Sequence, residues 1–229
     1  MKIDNITDVF FDLDHTLWDF DKNSALTFEK IFNINNISVN TYDFLSYYET
    51  INLEYWKLYR EEKIEKQALR FGRLNDTFKA INYKVEADLI YKLSTDYITH
   101  LTTFNHLFEN TLEILDYLSK KYKLHIITNG FEEVQHKKLS YSNMIHYFTT
   151  ITNSEMVGVK KPNPKIFNYA LKQADIQVDN SIMIGDSYEA DILGAMNVGM
   201  DVIFFDVNNS SINQEIKQIA NLLDLKNYL

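Results

Sequence analysis

The chain has 229 residues, 23 Lys and Arg against 32 Asp and Glu, a formal net charge of −9 and no cysteine. So acidic a balance argues against a nucleic-acid polymer as partner, and the missing cysteines exclude disulfides and thiolate metal sites. No apolar run approaches the roughly 20 residues that span a bilayer, and no signal-peptide pattern opens the chain, so a cytoplasmic protein with no membrane partner is expected.

The first element is Val9-Phe10-Phe11, an apolar run that reads as a buried strand. Asp12 and Asp14 follow it, one residue apart. Residues i and i+2 of a strand share a face, and ligands of open α/β sheets bind at the carboxyl ends of strands. Two like charges so placed need a cation or a shared proton. The pair therefore predicts a divalent metal site or an acid/base pair, against the plainer reading of a turn with two solvated acids.

From about Phe20 to Thr103 the apolar residues recur at helical spacing. The stripes are Ala25, Phe28 and Phe32; Tyr47, Ile51, Tyr55 and Leu58; Phe71, Leu74, Phe78 and Ile81; and Ile90, Leu93, Tyr97 and Leu101. No strand is evident, so residues 19–103 are expected to form an all-helical insert after the first strand.

Beyond Phe104, strands and helices alternate. Leu124–Ile127, Phe148–Ile151, Ser181–Ile184 and Val202–Phe205 read as strands, with helices predicted from Leu112, over about Glu132–Met144, from Pro164, and over about Asn213–Leu223. Asn163 is a good N-cap and Pro164 a good first helical residue. Gly199 is expected to close the helix after Gly185-Asp186. Short apolar strands alternating with helices imply an α/β fold, a doubly wound parallel sheet of Rossmann type, built from residues 1–18 and 104–229.

The carboxyl ends of these strands carry Asp12 and Asp14, then Thr128 and Asn129, then Asp186 and, one helical turn later, Asp191. In a parallel sheet they share one edge, and clustered carboxylates suit a hard cation such as Mg²⁺. Lys161, in a Lys-Lys-Pro loop, reads in isolation as a solvated charge.

In order and spacing, Asp12-Leu13-Asp14-His15-Thr16, Thr128-Asn129-Gly130, Lys161-Pro162 and Gly185-Asp186-Ser187 through Asp191 resemble the four motifs of the haloacid dehalogenase-like hydrolases. The resemblance implies a Rossmann-like core, a helical cap and Mg²⁺-dependent phosphoryl transfer from a small phosphomonoester. By it, Asp12 is the nucleophile and Asp14 the acid and base. Asp12, Asp186 and the backbone carbonyl of Asp14 are metal ligands, with Asp191 behind them. Thr128, Asn129 and Lys161 are the phosphate-binding residues. Asp14 favours phosphatases and phosphomutases of the family over dehalogenases.

Leu17-Trp18-Asp19-Phe20-Asp21, Ile126 through Phe131, and Glu155 through Phe167 further resemble the pyrimidine 5′-nucleotidase branch, which implies UMP, dUMP and dTMP as substrates. A phosphosugar phosphatase or mutase is the alternative, and a phosphate-binding regulatory protein a more distant one. Phe20, Trp56 and Arg70 are the candidate specificity residues, with Tyr59, Arg60 and Phe71 near them in sequence. The segment Phe104–Glu109 lacks the Pro-Gly usual in that branch; an altered loop is expected there. No feature of the sequence reports the oligomeric state.

Overall fold

The computed structural model describes residues 3–207 and 216–229. Six strands, β1 (Asp8–Phe11), β2 (Lys123–Thr128), β3 (Phe148–Asn153), β4 (Ser181–Gly185), β5 (Asp201–Phe205) and β6 (Gln218–Ile219), form one sheet in the order β3-β2-β1-β4-β5-β6. Every pairing is parallel. β1 and β4 are buried along their whole length, as expected of strands covered on both faces. The Rossmann-like reading thus holds. β1 lies at the switch point, with β2 on one side and β4 on the other, where ligand crevices open in such sheets.

The chain divides into two compact units, Met1–Phe20 with Asn105–Leu229, and Asp21–Phe104. The second contains α2 (Thr41–Arg60), α3 (Lys66–Ala80), α4 (Ala87–His100) and all but the first residue of α1 (Phe20–Ile34). It starts two residues later, and ends one later, than the expected 19–103. Its interior is aromatic: Phe28 lies 4.6 Å from Tyr48, 4.9 Å from Phe44 and 4.8 Å from Tyr97 between ring centroids. On α2 the buried stripe is Phe44, Tyr48, Asn52 and Tyr59, not the expected Tyr47, Ile51, Tyr55 and Leu58, and Tyr47 is 49% exposed. Asn52 occupies an inward position as the acceptor for buried Arg73, so an apolar count misplaces the face.

The sheet unit adds α5 (Thr111–Ser119), α6 (Glu132–Tyr141), α7 (Ser154–Val157), α8 (Pro164–Ala174) and α9 (Gly194–Met196). Ile166, Phe167 and Ala170 of α8 pack into one core cluster with Phe10, Ile127 and Met183 of the sheet. Asn163 caps α8 through a bond from Lys165 N to Oδ1, as its sequence predicts. Asn110 precedes α5 with φ 65°, supplying in this loop the left-handed residue that glycine often supplies. α6 ends at Tyr141, not Met144. The predicted Asn213–Leu223 helix is absent where the chain is described: β6 and a 3₁₀ segment, Leu222–Asn227, stand there instead, and 213–215 lie outside the described residues. Leu222 and Leu225 are buried three residues apart, a spacing that 3₁₀ and α share.

Candidate active site

β1 leaves the sheet at Asp12, whose N–H bonds Ile184 O at 2.9 Å. Leu13 O then accepts from both Leu17 N and Trp18 N, at 3.0 and 2.9 Å, and His15 adopts φ 63°. The strand thus turns immediately after Asp12. The two acids go to different partners, and in this the outcome departs from a simple convergence on one spot.

Asp12 joins the strand-end cluster. Oxygens of Asp12, Asp186 and Asp191 lie within 4.8 Å of one another. Lys161 is their counter-charge: its Nζ is 2.5 Å from Asp12 Oδ1, 2.6 Å from Asp191 Oδ1 and 2.7 Å from Ile127 O. Asn129 ties the Lys161 backbone, accepting from its N–H at 2.7 Å and donating to its carbonyl at 3.0 Å. Thr16 donates to Asp186 at 3.1 Å, and Ser187 N–H to Asp191 Oδ2 at 3.0 Å. Gly185 makes room, because a Cβ there would run into the Asp191 carboxylate.

Three carboxylates share one ammonium in a mostly closed site. Burial pushes the Asp12 carboxyl well above the usual range; Lys161 opposes this, while Asp191 and Asp186 reinforce it. Burial likewise raises Asp186 to about 6, against His15 and with Asp191. Burial works against the Lys161 ammonium, but Asp12 and Asp191 outweigh it and hold its pKa above the ordinary lysine value. Among the described residues, the partner of buried Asp191 Oδ1 is the Lys161 ammonium. An oxygen-only cluster of three carboxylates around one ammonium, short of positive charge, fits a hard divalent cation.

Asp14 belongs to a second constellation that the sequence reading missed. Lys138 Nζ lies 2.5 Å from Asp14 Oδ1. Gln135 Nε2 donates to Asp14 Oδ2 at 3.1 Å and to Thr128 Oγ1 at 2.9 Å. Both side chains come from α6, three residues apart and so on one helix face, and each residue is only 1% exposed. The available signal was that spacing after Thr128-Asn129-Gly130; the run Gln-His-Lys-Lys reads otherwise as a solvated face.

The specificity candidates divide between the units. Phe20 packs on His15 at 4.9 Å and on Trp18 at 6.2 Å. Trp56 meets Tyr59 edge-on at 5.7 Å within the helical unit. Arg70 and Phe71 line a cavity of about 420 Å³ between α3 and α4, with Tyr91 and Ser94; Trp56 is not part of it.

Residues 9–205 match the family model of the haloacid dehalogenase-like hydrolases. The pyrimidine 5′-nucleotidase YjjG of Escherichia coli (strain K12) is 32% identical over 203 residues, 88% of this chain and 86% of its own. A glyceraldehyde 3-phosphate phosphatase of Methanothermobacter thermautotrophicus is 33% identical over 199 residues, 85% of this chain and 83% of its own. The crystal structure of the HAD-hydrolase YfnB of Bacillus subtilis, bound to magnesium, has a TM-score of 0.88 at 27% identity, covering 97% of this chain and 98% of that one. No helix among the described residues is long and apolar enough to cross a membrane. The match runs from the first strand to the fifth, and sequence relatives above 30% identity span most of the chain, so this protein is an enzyme of the haloacid dehalogenase-like hydrolase family.

Proposed function

We propose that the protein is a Mg²⁺-dependent phosphomonoesterase of pyrimidine nucleoside monophosphates, working through an aspartyl-phosphate on Asp12. The observation that carries this reading is the separation of the two acids. Asp12 faces Lys161 and the acidic cluster, and Asp14 is held apart by Lys138 and Gln135. One reaction can therefore use one carboxylate as nucleophile and the other as proton carrier.

An Asp12 oxygen forms a bond to phosphorus as the bond from phosphorus to the leaving alcohol breaks. The Asp14 carboxyl gives its proton to that alcohol oxygen. Water then bonds to phosphorus and yields a proton to Asp14, the Asp12–phosphorus bond breaks, and inorganic phosphate leaves. Thr128 Oγ1 already accepts from Gly130 N–H and Gln135, so its own hydrogen is left for a phosphoryl oxygen. Lys161 offsets charge on the transferring group, which takes the place of its Asp12 contact. Asp12, Asp186 and the Asp14 carbonyl would hold Mg²⁺, with Asp191 behind. When bound, the ion neutralises the clustered carboxylates and the phosphoryl oxygens.

The nucleotide preference draws on the local sequence likeness and on the YjjG relative. The helical unit is assigned the role of cap, with Phe20, Trp56 and Arg70 as the positions to substitute for specificity. A triose- or sugar-phosphate substrate is the second reading, favoured by the glyceraldehyde 3-phosphate phosphatase relative. Phosphate release from a panel of nucleoside monophosphates and sugar phosphates, with Mg²⁺ and with chelator, separates the two. Release confined to pyrimidine nucleotides supports the first reading. Wild-type turnover by Asp12→Asn would refute the mechanism for both.

A further inference from the structure

Lys138 is a buried lysine that no step above requires. Hiding an ammonium is costly unless it is paired. Among the described residues its carboxylate partner is Asp14, at 2.5 Å. Its other contacts are ring faces: Trp18 at 4.4 Å and Phe20 at 5.5 Å from the centroids. Those rings confine the ammonium and leave it directed at one carboxylate.

Gln135 tells the same story. Both hydrogens of its amide nitrogen are spent, on Asp14 and on Thr128. Among the described residues its buried Oε1 has no hydrogen-bond partner. The reverse orientation would press that oxygen against the Asp14 carboxylate, so the donor side faces the site at the expense of a stranded acceptor. Gly130 is required for this, since a Cβ there would run into the Gln135 amide.

We infer that Lys138 and Gln135 are positioning residues for leaving-group protonation, fixing the Asp14 carboxyl in one orientation and keeping it out of the cation cluster. This rests on the phosphomonoesterase reading above. The two oxygens of a carboxyl group offer about four sites; Lys138 and Gln135 take one on each oxygen, which leaves room for the proton that Asp14 transfers. The Asp14 side chain is 19% exposed, so the remaining sites are open to a reacting group. Asp12, Asp186 and Asp191 form the cation cluster, and Asp14 is not among them. Without Lys138, the Asp14 side chain is free to swing towards a bound cation, away from the leaving oxygen.

The test compares two esters in the full-length enzyme with Mg²⁺. The leaving group of UMP is a poor nucleoside 5′-alkoxide that needs the proton; that of p-nitrophenyl phosphate is a stable phenolate that does not. Leaving-group release is read on the first turnover, so breakdown of the phosphoenzyme, common to both, does not enter. Lys138→Met is expected to slow UMP cleavage about 30-fold more than p-nitrophenyl phosphate cleavage, less than the roughly 10²–10⁴-fold that the acid itself contributes, because Lys138 acts only through Asp14. KM should stay nearly constant, Lys138→Arg should recover most of the loss, and Asp14→Asn should show the same skew more strongly. Should Lys138→Met fail to fold, Gln135→Leu is expected to give a smaller skew in the same direction. Equal losses on both esters, or a change in KM alone, would overturn the inference while Asp14→Asn keeps its skew. Absence of skew in Asp14→Asn itself, or of phosphate release by the wild type, would instead remove the underlying reading and this inference with it.

Discussion

Lys161 Nζ lies 2.6 Å from Asp191 Oδ1 while also bonding Asp12 Oδ1 at 2.5 Å, so one ammonium joins the first strand end to the helical turn after the fourth. Lys161→Met removes that charge and leaves three acids facing one another. Breaking a buried pair from one side costs about 3–5 kcal/mol, and losing a donor to the transferring group costs roughly 10²–10³ in kcat. Divalent-cation affinity should move the other way and tighten, because Lys161 repels the cation and competes for Asp12. Calorimetric titration with Mg²⁺ beside steady-state kinetics checks the split; weaker Mg²⁺ binding in the variant would contradict it.

The metal-free enzyme should lose stability as pH rises. Asp186 has its folded pKa raised from 3.8 to about 6, so its contribution is fully present below 3.8 and disappears as pH climbs through about 6. The side chain is only partly closed to solvent, so screening limits the effect to on the order of 2 kcal/mol. His125 acts in the opposite sense. Burial lowers its pKa, against Asp8 at 2.8 Å, so its contribution is present above 6.5 and fades as pH falls. Subtracting melting temperatures with and without Mg²⁺ cancels His125 and isolates the cluster. The Mg²⁺-induced rise should be small near pH 4.5 and grow through pH 7, and a rise that does not depend on pH would contradict the assignment.

Gly185→Ala should act through Asp191. The added methyl collides with the Asp191 carboxylate, which holds both Ser187 N–H and Lys161. Disturbing a group behind the direct ligands typically costs 10–100-fold in metal affinity. The expected result is a Mg²⁺ dissociation constant raised by about that factor, with turnover at saturating Mg²⁺ much less affected. Unchanged Mg²⁺ binding would show that Asp191 does not support the site.

What the sequence disclosed follows from its physics. Asp12, Thr128 and Asp186 stand at the carboxyl ends of apolar strands, with Asp191 one helical turn after the last of them, and the parallel order brings all four to one edge. Lys161 lay in a loop and became legible only as part of the four-motif pattern. Lys138 and Gln135 were not legible, because a polar helix face looks the same whether it meets solvent or a half-buried carboxylate. The displaced stripe on α2 has a related cause: Asn52 faces inward to serve Arg73, and a polar inward residue is invisible to a hydrophobic period. The C-terminal misreading came from Leu222 and Leu225, whose spacing does not separate a 3₁₀ segment from an α-helix.

Arg73 offers a test of how the helical unit is held together. The residue is 3% exposed, donates from Nη1 to Asn52 Oδ1 at 2.8 Å, and lies over the rings of Tyr97 at 5.0 Å and Tyr48 at 5.8 Å. Among the described residues it has no carboxylate partner, and its Nε is buried without an acceptor. A buried charge so thinly compensated is replaced cheaply as a whole and expensively in part. Asn52→Leu strands the guanidinium and should cost about 3 kcal/mol, near the top of the range for a hydrogen bond to a charged group. Arg73→Met removes the charge and keeps the packing over Tyr48 and Tyr97, so its cost should be about 1 kcal/mol or less. The double variant should then lie close to Arg73→Met alone, less destabilised than the sum of the two single variants, a coupling between residues on neighbouring helices. Urea unfolding of the four proteins measures the cycle. Strict additivity would mean that Asn52 contributes shape, not an acceptor, and that the two tyrosine faces suffice to hold the charge.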